Sequence, residues 1–168
     1  MMMYSFVAWI EATPLSVWMR ESPSLWAFPF VLILHTAGMA FLVGTNVAMN
    51  LRVLGCAPRI PLSLFEKFFP IMRAGLFVNA ISGILLLIAY PTKALTNPLF
   101  YFKLFLIAFA LTETHWIRDQ VLRHPGVDVK PIPEKGRVLA GTSLAVWAGA
   151  VAAGRLLAYT YTHLMAGE

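Results

Sequence analysis

Charge is what this chain has least of: 12% of its 168 residues are Asp, Glu, Lys or Arg, while 59% are hydrophobic, and mean hydropathy is strongly positive. A chain of this size in water has no way to hide that much apolar surface, which excludes an ordinary soluble domain. There is a single cysteine, Cys56, so no disulfide framework exists within the chain. In the first loop, facing a reducing compartment, it is expected to stay a free thiol. Phosphate-binding glycine loops, dinucleotide fingerprints and zinc-protease helices are missing, and no nucleophile–base pair can be assembled. An enzyme is therefore the least favoured class. Internal repeats and low-complexity tracts are missing too.

What is present is a set of long apolar runs. From Leu25 to Leu51 no residue carries a formal charge apart from whatever His35 holds, a stretch longer than the roughly 20 residues that cross hydrocarbon as a helix. Further runs cover Ile71 to Tyr90, Pro98 to Trp116 and Val138 to Tyr159. The expectation is an all-α integral membrane four-helix bundle in one domain, 1–168, with spans near 24–51, 71–90, 98–117 and 138–160. The opening stretch, about 4–20, holds Trp9 and Trp18 but is interrupted by Glu11 and Pro14 and lacks a basic leader. It reads as a short interfacial helix lying on the membrane rather than a removed signal.

Basic residues indicate orientation, because short cytoplasmic connections retain Lys and Arg. Arg52, Arg59, Lys67 and Arg73 follow the first span, and Arg118, Arg123, Lys130, Lys135 and Arg137 follow the third; Arg20, Lys93 and Lys103 fall on the other side. Both termini are thus expected to face outward. Topology accounts for the formal charge of +5, and no interleaving of basic and aromatic residues points to nucleic acid.

Local signals mark the boundaries. Ser22-Pro23 and Asn97-Pro98 each place a capping side chain before a proline at a first helical position, predicting the starts of spans one and three. Ser63 and Glu66 have capping-box spacing, predicting a helix ahead of span two that Pro70 kinks. Tyr90-Pro91 closes that span. His124 to Gly136, with three prolines, reads as an irregular loop.

Small residues recur at every fourth position on span four, at Gly141, Ala145, Gly149 and Ala153, and on span two at Gly75, Asn79 and Gly83. That spacing lets helix backbones approach closely in lipid, within the chain or between copies. On span one, His35, Gly38, Met39, Leu42, Asn46 and Met49 share one stripe that must face protein or water. His35 and Asn79 come out at similar depth and are expected to hydrogen-bond. Lys103 and Arg155 either snorkel to the outer surface or line an outward-opening polar pocket above His35 that receives an anionic group.

His35 is also a candidate axial ligand for b-type haem, with Gly38 one turn away admitting a porphyrin and Lys103 and Arg155 available to propionates. The second ligand is the difficulty, because His115 and His163 lie on the order of 10 Å or more from His35 in depth. A symmetric dimer, a five-coordinate iron or a methionine ligand would each remove it. Glu113, Thr114, His115, Asp119 and Arg123 form a second polar cluster, in which His115–Asp119 and Asp119–Arg123 have pairing spacing; Arg73 is the expected partner of the deeper Glu113.

The segments Glu11-Ala12-Thr13-Pro14-Leu15-Ser16-Val17-Trp18, Ser22-Pro23-Ser24-Leu25-Trp26, His35-Thr36-Ala37-Gly38 and Asn50-Leu51-Arg52-Val53-Leu54-Gly55 resemble a family of small bacterial four-span membrane proteins of unknown function. The resemblance covers the first third of the chain and elsewhere the span layout. It implies a bacterial inner membrane and a four-helix fold, and supplies no activity. Three readings follow. The first is a non-catalytic membrane subunit that packs against partners or a second copy. The second is a b-type electron-transfer subunit with a membrane or periplasmic redox partner. The third is a small channel or carrier using His35, Asn79, Lys103 and Arg155.

Overall fold

The computed structural model describes residues 2–129 and 131–165, with side-chain surroundings for 5–129, 131–157 and 159–160. Seven α-helices follow one another: α1 (Met2–Glu11), α2 (Pro14–Glu21), α3 (Phe28–Val53), α4 (Phe69–Ala89), α5 (Pro91–Leu95), α6 (Pro98–Ile117) and α7 (Glu134–Met165). A 3₁₀ helix, Leu62–Phe68, precedes α4, and a π-helical turn, Arg118–Leu122, extends α6. No strand occurs among the described residues. Three segments, Phe28–Val53, Leu62–Ala89 and Glu134–Leu157, are long and apolar enough to cross a membrane. Helix α6 is not among those three: it is the shortest of the long helices at 20 residues, and Lys103 and Glu113 both fall inside it.

The long helices form an open ring. Helix α3 packs along α4 on one side and against α7 on the other, α7 pairs with α6, and α4 and α6 make no extended contact. The main core gathers Leu42, Met49, Val53, Phe65, Phe69, Met72, Ile117, Val121 and Trp147. It therefore sits towards the end of the bundle that bears the 54–68 and 118–133 connections, here the loop end. At the opposite, terminal end a small cluster of Met19, Val31 and Ala89 closes the α2–α3–α4 corner.

The N-terminal segment is two helices where the sequence predicts one. Thr13 adopts an extended conformation, its hydroxyl accepts from the Ser16 N–H at 3.4 Å, and Pro14 opens α2. A cap followed by a proline outweighs apolar continuity. Helix α2 is docked on α4: Ser16 Oγ donates to Ile88 O at 2.8 Å and Arg20 donates to Ala89 O at 3.1 Å and to Glu11 O at 2.9 Å. Arg20 thus caps the carbonyl end of α4, the arrangement the helix dipole favours. Trp9, Trp18 and Trp26 remain exposed at this end.

Two predicted starts are corrected. Ser22 is the C-cap of α2, its N–H bonded to Trp18 O. Helix α3 begins only at Phe28, after a turn, with Pro29 in its first turn; Pro23 competes with Pro29 for the same role, and the later proline is the one followed by uninterrupted helix. The Ser63–Glu66 capping box does not form either. Pro61 occupies the N-cap position, Ser63 N–H bonds Asp128 Oδ1 at 3.1 Å, and Glu66 binds Arg118 and Arg123, so tertiary partners take both ends of the motif. Pro70 lies in the first turn of α4, where the 3₁₀ helix gives way to it. Asn97 behaves as predicted, its side chain accepting from Leu99 N–H at 3.0 Å ahead of Pro98. Tyr90-Pro91 also ends α4 as expected, with Pro91 opening α5. Helix α7 starts at Glu134, inside the predicted loop. Lys130 lies outside the described residues.

Candidate functional site

Closest approach in the bundle occurs where α3 meets α4. A Cβ added to Gly38 would lie 2.8 Å from Asn79 N and from Gly75 O, and one added to Gly75 would lie 2.9 Å from Gly38 O. Backbone touches backbone here, which only glycine permits. The polar groups on either side can then reach across. Asn79 Nδ2 donates to His35 O at 2.8 Å, while His35 Nδ1 stands 3.1 Å from Asn79 O and 3.1 Å from Ser82 Oγ. Because a carbonyl only accepts and the Ser82 hydroxyl donates to Val78 O at 2.6 Å, the network assigns the imidazole hydrogen to Nδ1. Nε2 is left with its lone pair. Gly83 leaves room for the ring, a Cβ there falling 3.3 Å from His35 Cε1. The predicted His35–Asn79 pairing is present, in reciprocal form, and Ser82 is a third member that the sequence reading passed over. Its position three residues beyond Asn79 was the available signal.

Lys103 enters from α6. Its ammonium end lies against α7, Nζ being 3.5 Å from the position a Cβ on Gly154 would take, and the side chain is half-buried along that interface. It makes no hydrogen bond or ion pair among the described residues. Beside it is a cavity of about 20 Å³ with Met39 and Leu42 of α3, Asn79 of α4, Ile107 of α6 and Trp147 of α7 among its walls. Arg155 is exposed and outside this group. Of the five expected site residues, the structure therefore gathers His35, Gly38, Asn79 and Lys103 at one level and leaves Arg155 on the periphery.

One layer nearer the loop end, a second polar set is fully enclosed. Asn46 Nδ2 donates to Thr114 Oγ1, and Asn50 Nδ2 donates to Asn46 Oδ1 at 2.7 Å and to Ser143 Oγ at 3.0 Å. All four residues are buried, and they tie α3, α6 and α7 together. Asn46 lies on the inward stripe that helix periodicity predicts. Asn50, one turn on, is legible by the same spacing, whereas Thr114 and Ser143 are ordinary helix residues whose role depends on which helix they meet.

Glu113 is also buried, but its partner is not Arg73. Thr142 of α7 donates to Glu113 Oε1 at 2.6 Å, and Arg73 is exposed; the α6–α7 pairing points this carboxyl away from α4. Beyond it, His115 Nε2 lies 3.1 Å from Asp119 Oδ2 and Arg123 3.1 Å from Asp119 Oδ1, the pairs expected from spacing. Arg118 grips Glu66 through two nitrogens and lies 4.3 Å over the Phe69 ring, fastening the 3₁₀ helix to the end of α6.

Among the described residues no three His, Cys, Asp or Glu side chains converge as a metal site, and His35 has amide and hydroxyl neighbours. His115 is paired with Asp119 at the loop end, and the His163 side chain lies outside the described residues. Cys56 is exposed. No protein-family model, curated protein or solved structure matches the chain.

Proposed function

We propose that this chain is a non-catalytic subunit of a bacterial inner membrane, crossing it four times with both termini outward. The observation that carries the reading is how the His35 level uses its polar groups. Imidazole Nδ1 and one Asn79 amide hydrogen bridge α3 and α4, with Ser82 Oγ accepting beside them, which is what side-chain hydrogen bonds between helices do in lipid. The pairing of α6 with α7 supports α6 as a further span beside the three long apolar segments, because Leu106 meets Gly149 and Glu113 meets Thr142 in one antiparallel register. The nine Lys and Arg of the first and third connections support the orientation. Large apolar side chains left exposed on α3, α4 and α6, among them Phe41, Phe77, Ile84 and Phe105, suit lipid, a partner or a second copy.

A second reading, b-type haem ligation by His35, draws on one feature: Nδ1–H bound to a backbone carbonyl is how a ligating histidine is usually oriented, with Nε2 left free. The 20 Å³ cavity does not accept a porphyrin, so the ring would have to lie on the outer edge of the α3–α4 seam, covered by a second copy or a partner. Absorption spectra of detergent-purified protein, oxidised and dithionite-reduced, separate the two. A colourless wild type, with His35→Ala melting at a lower temperature, supports the subunit. A Soret band abolished by His35→Ala overturns the purely structural role of His35.

A further inference from the structure

Lys103 brings a charge and three N–H donors to the half-buried interface between α6 and α7, and nothing among the described residues accepts from them. Even partial burial of an ammonium group without a counter-charge is costly in an apolar surrounding. Its aliphatic stem follows the α6–α7 interface, and Gly154 leaves open the space its head occupies. Two further residues that line the same cavity carry N–H donors. Trp147 is 3% exposed and its indole N–H has no acceptor. Asn79 spends one amide hydrogen on His35 O and has a second. The remaining walls, including Met39, Leu42 and Ile107, are apolar.

We propose that the cavity between α3, α4, α6 and α7 binds a single halide-sized monovalent anion, held by the Lys103 ammonium with the Trp147 and Asn79 N–H groups as further donors. Size and chemistry converge on that class. About 20 Å³ accommodates one water-sized occupant, which excludes phosphate, sulfate and organic acids. A water offers two hydrogens to a site already oversupplied with donors. A chloride ion offers only acceptance, and it neutralises the half-buried cation.

The test uses the full-length protein in mild detergent with gluconate as the sole anion. Chloride or bromide replaces gluconate at constant ionic strength while the melting temperature is followed, and bromide-grown crystals are examined for anomalous scattering. A saturable rise of several degrees, with an anomalous peak beside Lys103 Nζ, is expected. Trp147→Phe removes one donor while keeping the ring and should weaken halide affinity several-fold. Lys103→Met should abolish the halide dependence. Identical melting in chloride and gluconate, together with no bromide peak, overturns the proposal and leaves the cavity to water; this readout needs only the wild type, so a Lys103 variant that fails to fold does not obscure it. Neither outcome depends on whether His35 ligates haem.

Discussion

Two helix pairs carry the same small-residue signature and use it differently. Along α3–α4 the glycines are the contact: a Cβ on Gly38 or Gly75 would press into partner backbone at 2.8–2.9 Å. Along α6–α7 the four-residue repeat is permissive. Gly149 meets only the tip of Leu106 at 3.4 Å, and Gly141 has nothing within 4 Å of its missing Cβ. Spacing alone therefore cannot tell a backbone seam from a helix that merely contains small residues. What separates them is the partner's own composition, since glycine faces glycine in the first pair and leucine or lysine faces glycine in the second.

Substitutions sharpen this contrast, beginning with the seam. Gly38→Ala should cost about 3 kcal/mol, at the upper end of overpacking losses because backbone cannot yield as a side chain does; reversible unfolding in mixed micelles measures it, and a variant as stable as wild type would dissolve the distinction. Next comes the enclosed layer that joins the two pairs. Asn50→Ala leaves Asn46 Oδ1 without its closest donor and should lose about 2 kcal/mol, read in the same assay. Asn79→Ala removes one bond across the seam and should cost about 1 kcal/mol, the scale of interhelical hydrogen bonds in membranes. On the permissive side, Gly141→Ala should be neutral or gain up to about 1 kcal/mol, because helix propensity improves and no atom stands in the way; a large loss would mean that α7 has a backbone partner there.

The smallest effect lies at the loop end, outside the long apolar helices. Hydrogen bonds from Ser63, its side chain first and then its N–H, hold the Asp128 carboxyl below its ordinary range. A carboxyl lowered by folding adds stability that is complete above its unfolded value and is lost as pH falls through the folded one. Melting temperature should therefore drop slightly more for wild type than for Asp128→Asn below about pH 4.

Much of the bundle was legible because its causes are local. Asn97-Pro98 caps α6 wherever α6 lies, and the stripe through Gly38, Leu42, Asn46 and Met49 follows from helix periodicity alone. His35 and Asn79 were matched in depth by counting residues from span edges. Other assignments failed where two local signals competed or where a distant residue intervened. Pro23 and Pro29 both offered a start for α3. Ser63 and Glu66 had the right spacing for a mutual cap, yet an aspartate and two arginines from a connection some sixty positions away hold them. Glu113 and Arg73 match in depth, but the rotation of α6 turns the carboxyl towards Thr142.

The amino-acid sequence by itself determined the helical class, the apolar lengths, the one ionisable ring within the first long apolar run and the clustering of positive charge on two connections, because each depends on composition and short-range periodicity. Only the tertiary structure decided that Gly38 meets Gly75, that Lys103 lies against Gly154 while Arg155 is exposed, and that Asn46, Asn50, Thr114 and Ser143 form one enclosed layer. Those facts depend on the rotation of each helix about its axis and on its register against its neighbour. Such quantities are settled by the summed packing of all the helices, and no single segment encodes them.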